Sequence, residues 1–313
     1  MLAETRLSCC EKYRQIFVLR NRTDEGAVPA LIDLFHGTVS VLLRHEIAYA
    51  LGQMQRVDAV SFLTGVLEDG GEDPITRHEA AEALGAIEAP ESLEVLRRHA
   101  TDAASEVSDT CGLALDQLNY KIAKGACGCE RRPQEALRQE VAAAKAARAA
   151  SDGGDEADSN GTATDAPATS PYTYVTPAPA APPAPVPVLR AQLLDRSLPL
   201  FERYRALFAL RDAAPSSGDA AVLAICDAFG EQESALLKHE LAFVLGQLEH
   251  LASVPALSRA VRSEAEHPMV RHEAAEALGA VGGADALAVL REHAEHGEPI
   301  LKESCWVALQ WVE

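Results

Sequence analysis

Residues 77–100 read RHEAAEALGAIEAPESLEVLRRHA, and residues 271–294 read RHEAAEALGAVGGADALAVLREHA. The two stretches align without a gap at an offset of 194 residues. The shorter stretches HEIAYALGQMQ (45–55) and HELAFVLGQLE (239–249) repeat at the same offset. Self-similarity at a fixed offset indicates an internal duplication, so we expect the two halves of the chain to share one fold.

A shorter period of 33 residues runs inside each half. The dipeptide His-Glu marks it, at His45-Glu46, His78-Glu79, His239-Glu240 and His272-Glu273. One period contains DAVSFLTGVLEDG and then DPITRHEAAEALGAI, which predicts a shorter helix followed by a longer one. Gly70-Gly71 is typical of a break between helices, and Asp73-Pro74 of a helix start.

Ankyrin and tetratricopeptide repeats also have periods near this length, but their T-P-L-H and W-x-x-L-G-x-x-Y motifs are absent from the chain. Ala and Leu dominate the apolar residues and aromatic residues make up only 5%, which favours closely packed helices over a β-sandwich. We therefore predict an all-α fold, a HEAT-like α-helical repeat solenoid with two lobes of about four helical hairpins each. The second helices would line the concave face.

The composition changes abruptly between the two copies. Residues 125–187 are rich in Ala, Pro, Gly, Ser and Asp, and they include DGGDEADSNGTATDAPATS and PAPAAPPAPVPV. This predicts a flexible, low-complexity linker between an N-terminal lobe at 1–124 and a C-terminal lobe at 188–313. The N-terminal lobe is expected to lack the first helix that LRAQLLDRS supplies to the C-terminal lobe.

Charge and cysteine usage limit the class of protein. The net charge is −19, which disfavours a role in binding nucleic acid. The first residues have no apolar signal core, and no uninterrupted apolar stretch reaches the length of a membrane span. Seven scattered cysteines, an odd number, favour a reduced setting. We expect a cytoplasmic monomer without nucleic-acid or membrane partners.

Each His-Glu pair falls near the start of a second helix, and only the two central repeats of each lobe carry one. Neighbouring helices pack about 8–10 Å apart, so two such pairs can converge on one ion. Two imidazoles and a carboxylate with open positions are typical of non-haem iron that activates oxygen. The eight candidate ligands are His45, Glu46, His78, Glu79, His239, Glu240, His272 and Glu273. Two ions would use six of them and leave two carboxylates.

A basic residue precedes each His-Glu pair: Arg44, Arg77, Lys238 and Arg271. Such a cation could pair with a ligating carboxylate, or it could be solvated. The other histidines are assigned to surface or packing roles. Duplication of a purely structural residue pair is the alternative to a metal site.

With RHEAAEALGA twice, HEIAYALGQMQ, HELAFVLGQLE and ERYRALFALR (202–211), the chain resembles the deoxyhypusine hydroxylase family across both lobes. The resemblance implies a di-iron monooxygenase that uses dioxygen. It also implies the substrate, the deoxyhypusine side chain on translation initiation factor five A, whose hydroxylation completes hypusine.

The resemblance also implies a division of roles among the eight residues. His45, His78 and Glu79 would serve one iron, and His239, His272 and Glu273 the other. Glu46 and Glu240 would lie in the same cluster but nearer the substrate amine, as catalytic and substrate-binding groups.

Three alternatives remain open from the residues. A non-enzymatic HEAT-repeat adaptor would bind a peptide in the groove and no stoichiometric iron. A bilin lyase-like protein uses similar short repeats but does not require His-Glu in symmetric lobes. A di-zinc or di-manganese hydrolase would accept the same ligands. The chain has no G-x-S-x-G, H-E-x-x-H, P-loop or G-x-G-x-x-G motif.

Overall fold

A computed structural model describes residues 2–124, 174–231 and 234–312, and every regular element in these ranges is helical. The seven helices of the N-terminal half are α1 (Leu2–Arg20), α2 (Ala27–His36), α3 (Val41–Gln53), α4 (Val60–Glu68), α5 (Pro74–Ile87), α6 (Ser92–His99) and α7 (Ser105–Ala123). The eight helices of the C-terminal half are α8 (Val186–Leu194), α9 (Leu200–Ser217), α10 (Asp219–Glu231), α11 (Ala235–Leu248), α12 (Val254–Arg262), α13 (Pro268–Val281), α14 (Ala284–His296) and α15 (Pro299–Val312). The predicted all-α fold is confirmed. None of the described helices has the length and apolarity to cross a bilayer.

The helices pair as the 33-residue period predicts. The C-terminal half has four hairpins, α8/α9 to α14/α15, and the N-terminal half has three, α2/α3 to α6/α7, preceded by α1. Helix α1 carries EKYRQIFVLR and is the counterpart of α9, which carries ERYRALFALR. The C-terminal half therefore has one helix, α8, ahead of the counterpart of α1.

The helices that carry His-Glu begin at equivalent caps. The side chains of Ser40, Asp73, Ser234 and His267 each accept a backbone N–H of the first turn. Each cap lies five residues before a histidine of a His-Glu pair, so every pair occupies the second turn of its helix. An oxygen or ring nitrogen at this position satisfies one of the N–H groups that a helix start leaves without a partner.

Four glycines let the second helices approach each other closely. A Cβ added at Gly52 would lie 2.7 Å from Cα of Ala83, and one at Gly279 would lie 2.6 Å from Cβ and 2.9 Å from Cα of Ala308. Gly85 and Gly246 face Ala114 and Ala277 in the same way. All four belong to the repeated L-G-Q or L-G-A after a His-Glu pair, so one motif contains both the His-Glu pair and the glycine that sets the helix spacing.

Gly279→Ala is expected to destabilise the protein, whereas Gly112→Ala is expected to stabilise it. The first change forces a methyl group into the backbone of α15, and overpacking of this kind costs about 1–3 kcal/mol. Gly112 lies inside α7 with nothing within 4 Å of an added Cβ, so the higher helix propensity of alanine contributes up to about 1 kcal/mol. Denaturant unfolding of both variants measures the difference. Equal shifts would contradict the close-approach role of Gly279.

The inner helices of the two halves face each other. Helix α1 contacts α15, α3 also contacts α15, and α7 contacts α9 and α11. Hydrogen bonds cross this interface, from Tyr13 to Glu276 and from Arg14 to Gln310. The His-Glu pairs of both halves therefore point into one shared interior. The lobe boundaries at 124 and 188 stay a prediction.

Residues 174–187 differ from the flexible linker that the composition predicts. The backbone N–H of Val175 donates to Oε1 of Gln53 at 2.8 Å, and its carbonyl accepts from Nε2 of Gln53 at 3.1 Å. The carbonyl of Thr176 accepts a hydrogen bond from the side chain of Gln117. The hydroxyl of Tyr174 donates to Gln247 in the C-terminal half. Helix α8 already begins at Val186. Residues 174–178, here called the strap, thus lie against both halves. The rest of the predicted linker, 125–173, lies outside the described residues.

Candidate metal centre

The four histidines of the His-Glu pairs form one buried cluster. They come from α3, α5, α11 and α13, and each is at most 6% exposed. Ring centroids lie 5.0 Å apart for His45 and His272, 5.4 Å for His78 and His239, and 5.7 Å for His45 and His239. The structure therefore brings together imidazoles from both halves, which lie between 161 and 227 residues apart in the sequence.

Carboxylates reach histidines across neighbouring helices in the same way in each half. Oε2 of Glu79 lies 3.2 Å from Nε2 of His45, and Oε2 of Glu273 lies 3.4 Å from Nε2 of His239. Donor atoms of His239, His272 and Glu273 lie within 4.8 Å of one another, a spacing that can hold a metal ion. The same spacing holds for the imidazoles of His45, His78 and His239.

Many donor atoms in this cluster have no hydrogen-bond partner among the described residues. Both ring nitrogens of His78, His239 and His272 are buried without such a partner, and so is Oε1 of Glu240. Nε2 of His45 also lacks an aligned hydrogen bond, although Glu79 is within ion-pair distance. Each buried unpartnered group costs about 1–3 kcal/mol. Coordination of metal ions would satisfy these atoms, so the donor set fits divalent cations.

The carboxylates repel one another in the absence of a cation. Burial, and then repulsion from Glu276, raise the pKa of the Glu46 carboxyl to about 7. Burial also raises the pKa of the Glu240 carboxyl to about 8, even though the positive charge of Arg211 opposes the change. The pKa of Glu273 rises well above its usual range because of burial and the charges of Glu276 and Glu46. A bound cation would remove this repulsion.

Burial favours the neutral, metal-binding form of three of the four imidazoles. Burial lowers the pKa of His78, His239 and His272 well below the ordinary histidine value. Burial acts in the same direction on His45, but the carboxylates of Glu79 and Glu46 outweigh it and raise its pKa. Neutral imidazole nitrogens next to carboxylates are the donor type expected for iron, zinc and manganese ions.

The basic residue before each His-Glu pair does not pair with any of the eight candidate ligands. Each one forms an ion pair with a carboxylate in the loop that precedes a later helix: Arg44 with Glu72, Arg77 with Asp102, Lys238 with Glu266 and Arg271 with Glu298. Arg77 and Arg271 also donate to the carbonyls of Leu67 and Val261. These cations therefore fasten successive repeats to one another.

A cavity of about 180 Å³ adjoins the cluster. Its aromatic lining is Tyr13, Phe17, Tyr49, Tyr174 and Phe243, and its carboxylates are Glu46, Glu79, Glu82, Glu240, Glu273 and Glu276. The strap forms part of the wall through Tyr174, Val175 and Pro177. Such a lining suits a long apolar chain that carries positive charges, because aromatic faces and carboxylates both attract cations.

Glu82 and Glu276 were not among the residues that the sequence singled out. Both lie in the duplicated RHEAAEALGA, three residues after a predicted ligand, and so on the same side of the helix. Their recurrence at an offset of 194 residues was the available signal. Tyr13 also recurs, as Tyr204 in ERYRALFALR, but the repeat does not show that Tyr13 lies beside the cluster. Its place there, like that of the strap, depends on how the two halves meet.

Comparisons with known proteins identify relatives over the whole chain. A sequence profile for HEAT repeats matches residues 28–116 and 220–310. A protein of Danio rerio named deoxyhypusine hydroxylase is 40% identical, and the match covers 100% of this chain and 90% of the relative. A protein of Homo sapiens with the same name is 42% identical, and the match covers 96% of this chain and 85% of the relative. Deoxyhypusine hydroxylase-B of Oryza sativa subsp. japonica is 41% identical over 97% and 87%. The solved structure of the human enzyme in complex with glycerol superposes with a TM-score of 0.79, at 38% identity, covering 99% of this chain and 96% of that chain.

Proposed function

The chain belongs to the deoxyhypusine hydroxylase family, and we propose that it hydroxylates the deoxyhypusine side chain of translation initiation factor five A with dioxygen. The buried histidine cluster carries this proposal, since its unpartnered donors fit metal ions on which such a reaction depends. The protein would act as a cytoplasmic monomer with the modified factor as its protein substrate.

We assign the two metal ions to iron and the ligands to equivalent sets in the two halves. His45, His78 and Glu79 would hold one ion, and the counterparts His239, His272 and Glu273 the other. The approach of Glu79 to His45 and of Glu273 to His239 supports this division. Iron, when bound, supplies the activation of dioxygen that no side chain can provide. The burial of all eight residues keeps bulk water away from the reacting atoms.

Glu46 and Glu240 would bind the amines of the substrate. Deoxyhypusine is a long, polyamine-like side chain, and both carboxylates line the cavity beside the cluster. Oε1 of Glu240 has no hydrogen-bond partner among the described residues, so it can accept one from a substrate ammonium. The aromatic walls would contact the methylene groups and orient the carbon to be hydroxylated.

A non-enzymatic adaptor is disfavoured by the same cluster, because a peptide groove gains nothing from buried histidine nitrogens without partners. A hydrolase that uses zinc or manganese is distinguished by the metal and the reaction. The decisive experiment measures the metal content of the purified full chain and then incubates it with the deoxyhypusine-bearing factor. We expect two iron ions per chain and hydroxylation in air but not under nitrogen. Stoichiometric zinc without iron, or no dioxygen-dependent product, would overturn the proposal.

A further inference from the structure

Glu276 lies one helical turn after His272 on α13, and two hydroxyl groups hold its carboxylate. The hydroxyl of Tyr13 donates to Oε2 at 2.9 Å, and the hydroxyl of Ser304 donates to Oε1 at 3.1 Å. The same Oε1 lies 3.7 Å from Nδ1 of His272. This separation is within ion-pair distance and slightly longer than a hydrogen bond. Tyr13, Glu276 and His272 thus form a chain from α1 of one half to a ligand of the other.

The ring of His272 needs such an acceptor if it binds a metal ion. The ring is fully buried, and neither of its nitrogens has a hydrogen-bond partner among the described residues. A metal ion takes one nitrogen, and the other must then donate its hydrogen. A carboxylate in that place fixes the tautomer and the orientation of the ring, and it raises the basicity of the ligating nitrogen.

We propose that Glu276 is a positioning residue that accepts the Nδ1–H of His272, so that Nε2 faces the metal ion, and that Tyr13 holds Glu276 in place. The inference rests on the proposed metal centre and deepens it. Glu276 contacts no metal itself in this arrangement. Its carboxylate acts through His272, and the N-terminal helix α1 acts through Tyr13.

The equivalent residues of the other half do not form the same chain. Glu82, Tyr204 and Thr110 are the counterparts of Glu276, Tyr13 and Ser304. The hydroxyl of Tyr204 donates to the carbonyl of Leu236, and that of Thr110 donates to the carbonyl of Glu106. The hydroxyls of Tyr204 and Thr110 therefore bind backbone carbonyls, whereas those of Tyr13 and Ser304 bind the carboxylate of Glu276. The two proposed metal positions therefore have equivalent ligands, but the hydrogen bonds next to those ligands differ between the two halves.

The test is a titration of the metal-free full chain with ferrous ion under nitrogen, in competition with a chelator. The parent protein should bind two ions. Glu276→Gln keeps the shape of the side chain but removes its charge, and we expect one of the two sites to weaken by about 10- to 100-fold while the other is unchanged. Cobalt(II), whose visible absorption reports its coordination, should show altered bands for one ion only. The thermal midpoint of the metal-free protein should stay within a few degrees of the parent's.

Tyr13→Phe and Tyr204→Phe provide a matched pair, because each removes one hydroxyl from the same position of the repeat. Tyr13→Phe should weaken the same site as Glu276→Gln, and Tyr204→Phe should leave both metal affinities unchanged. Parent-like affinities in Glu276→Gln, equal weakening of both sites, or the same effect from both tyrosine variants would overturn the positioning role. A parent protein that binds no ferrous ion would instead overturn the proposed metal centre.

Discussion

Replacement of His78 by alanine is expected to remove one of the two metal ions and to abolish turnover. His78 is fully buried, and one of its nitrogens lies within 4.8 Å of a donor atom of His45 and of one of His239. A bound metal ion supplies several kcal/mol of transition-state stabilisation, and about 4 kcal/mol corresponds to a thousandfold change in rate. We therefore expect turnover to fall by about a thousandfold or more. Metal analysis and the hydroxylation assay measure the two effects on one preparation.

His36→Ala serves as the control for this loss. His36 is exposed at the end of α2, where its ring contacts the ring of Phe62, and it lies outside the buried cluster. This variant should keep two metal ions and the turnover of the parent. If His78→Ala also retained both ions at full turnover, the assignment of the cluster as the metal centre would be wrong.

The repeat architecture could be predicted because equivalent residues recur at a fixed spacing in the sequence. The spacing of 33 residues predicted the hairpins, and the break at Gly70-Gly71 and the cap at Asp73 fall where α4 ends and α5 begins. The 194-residue offset also predicted that two His-Glu pairs in each half occupy equivalent positions. Periodicity is visible in one dimension, so the residues that repeat could be found without a structure.

Contacts that break the repeat could not be predicted in this way. The prolines and alanines before α8 predicted a linker, yet the strap is fixed by side-chain amides of Gln53, Gln117 and Gln247. A glutamine on a helix is ordinarily solvated, so its role depends on which backbone lies opposite. The partnership of Tyr13 with Glu276 has the same origin, since it joins residues 263 positions apart.

Glu240→Gln is expected to retain both metal ions and to raise the KM for the deoxyhypusine-bearing factor. The amide has the shape of the carboxylate, so the cavity stays intact, and the proposed ligands His239 and Glu273 remain. Removing one partner of a buried, hydrogen-bonded charge pair costs 2 kcal/mol or more, which corresponds to a KM at least about 30-fold higher. Glu249→Gln, at an exposed position just after α11, should leave KM unchanged.

The comparison of KM with metal content decides between two roles for Glu240. Its Oε1 has no hydrogen-bond partner among the described residues, and either a substrate ammonium or a metal ion could occupy that position. A substrate-binding carboxylate predicts full metal content with a raised KM, because the amide still fills the space but attracts the ammonium weakly. If Glu240 is instead a metal ligand, Glu240→Gln should lose one ion together with turnover, as expected for His78→Ala. Loss of metal in Glu240→Gln would therefore move Glu240, and by the symmetry of the repeat Glu46, from the substrate to the metal centre.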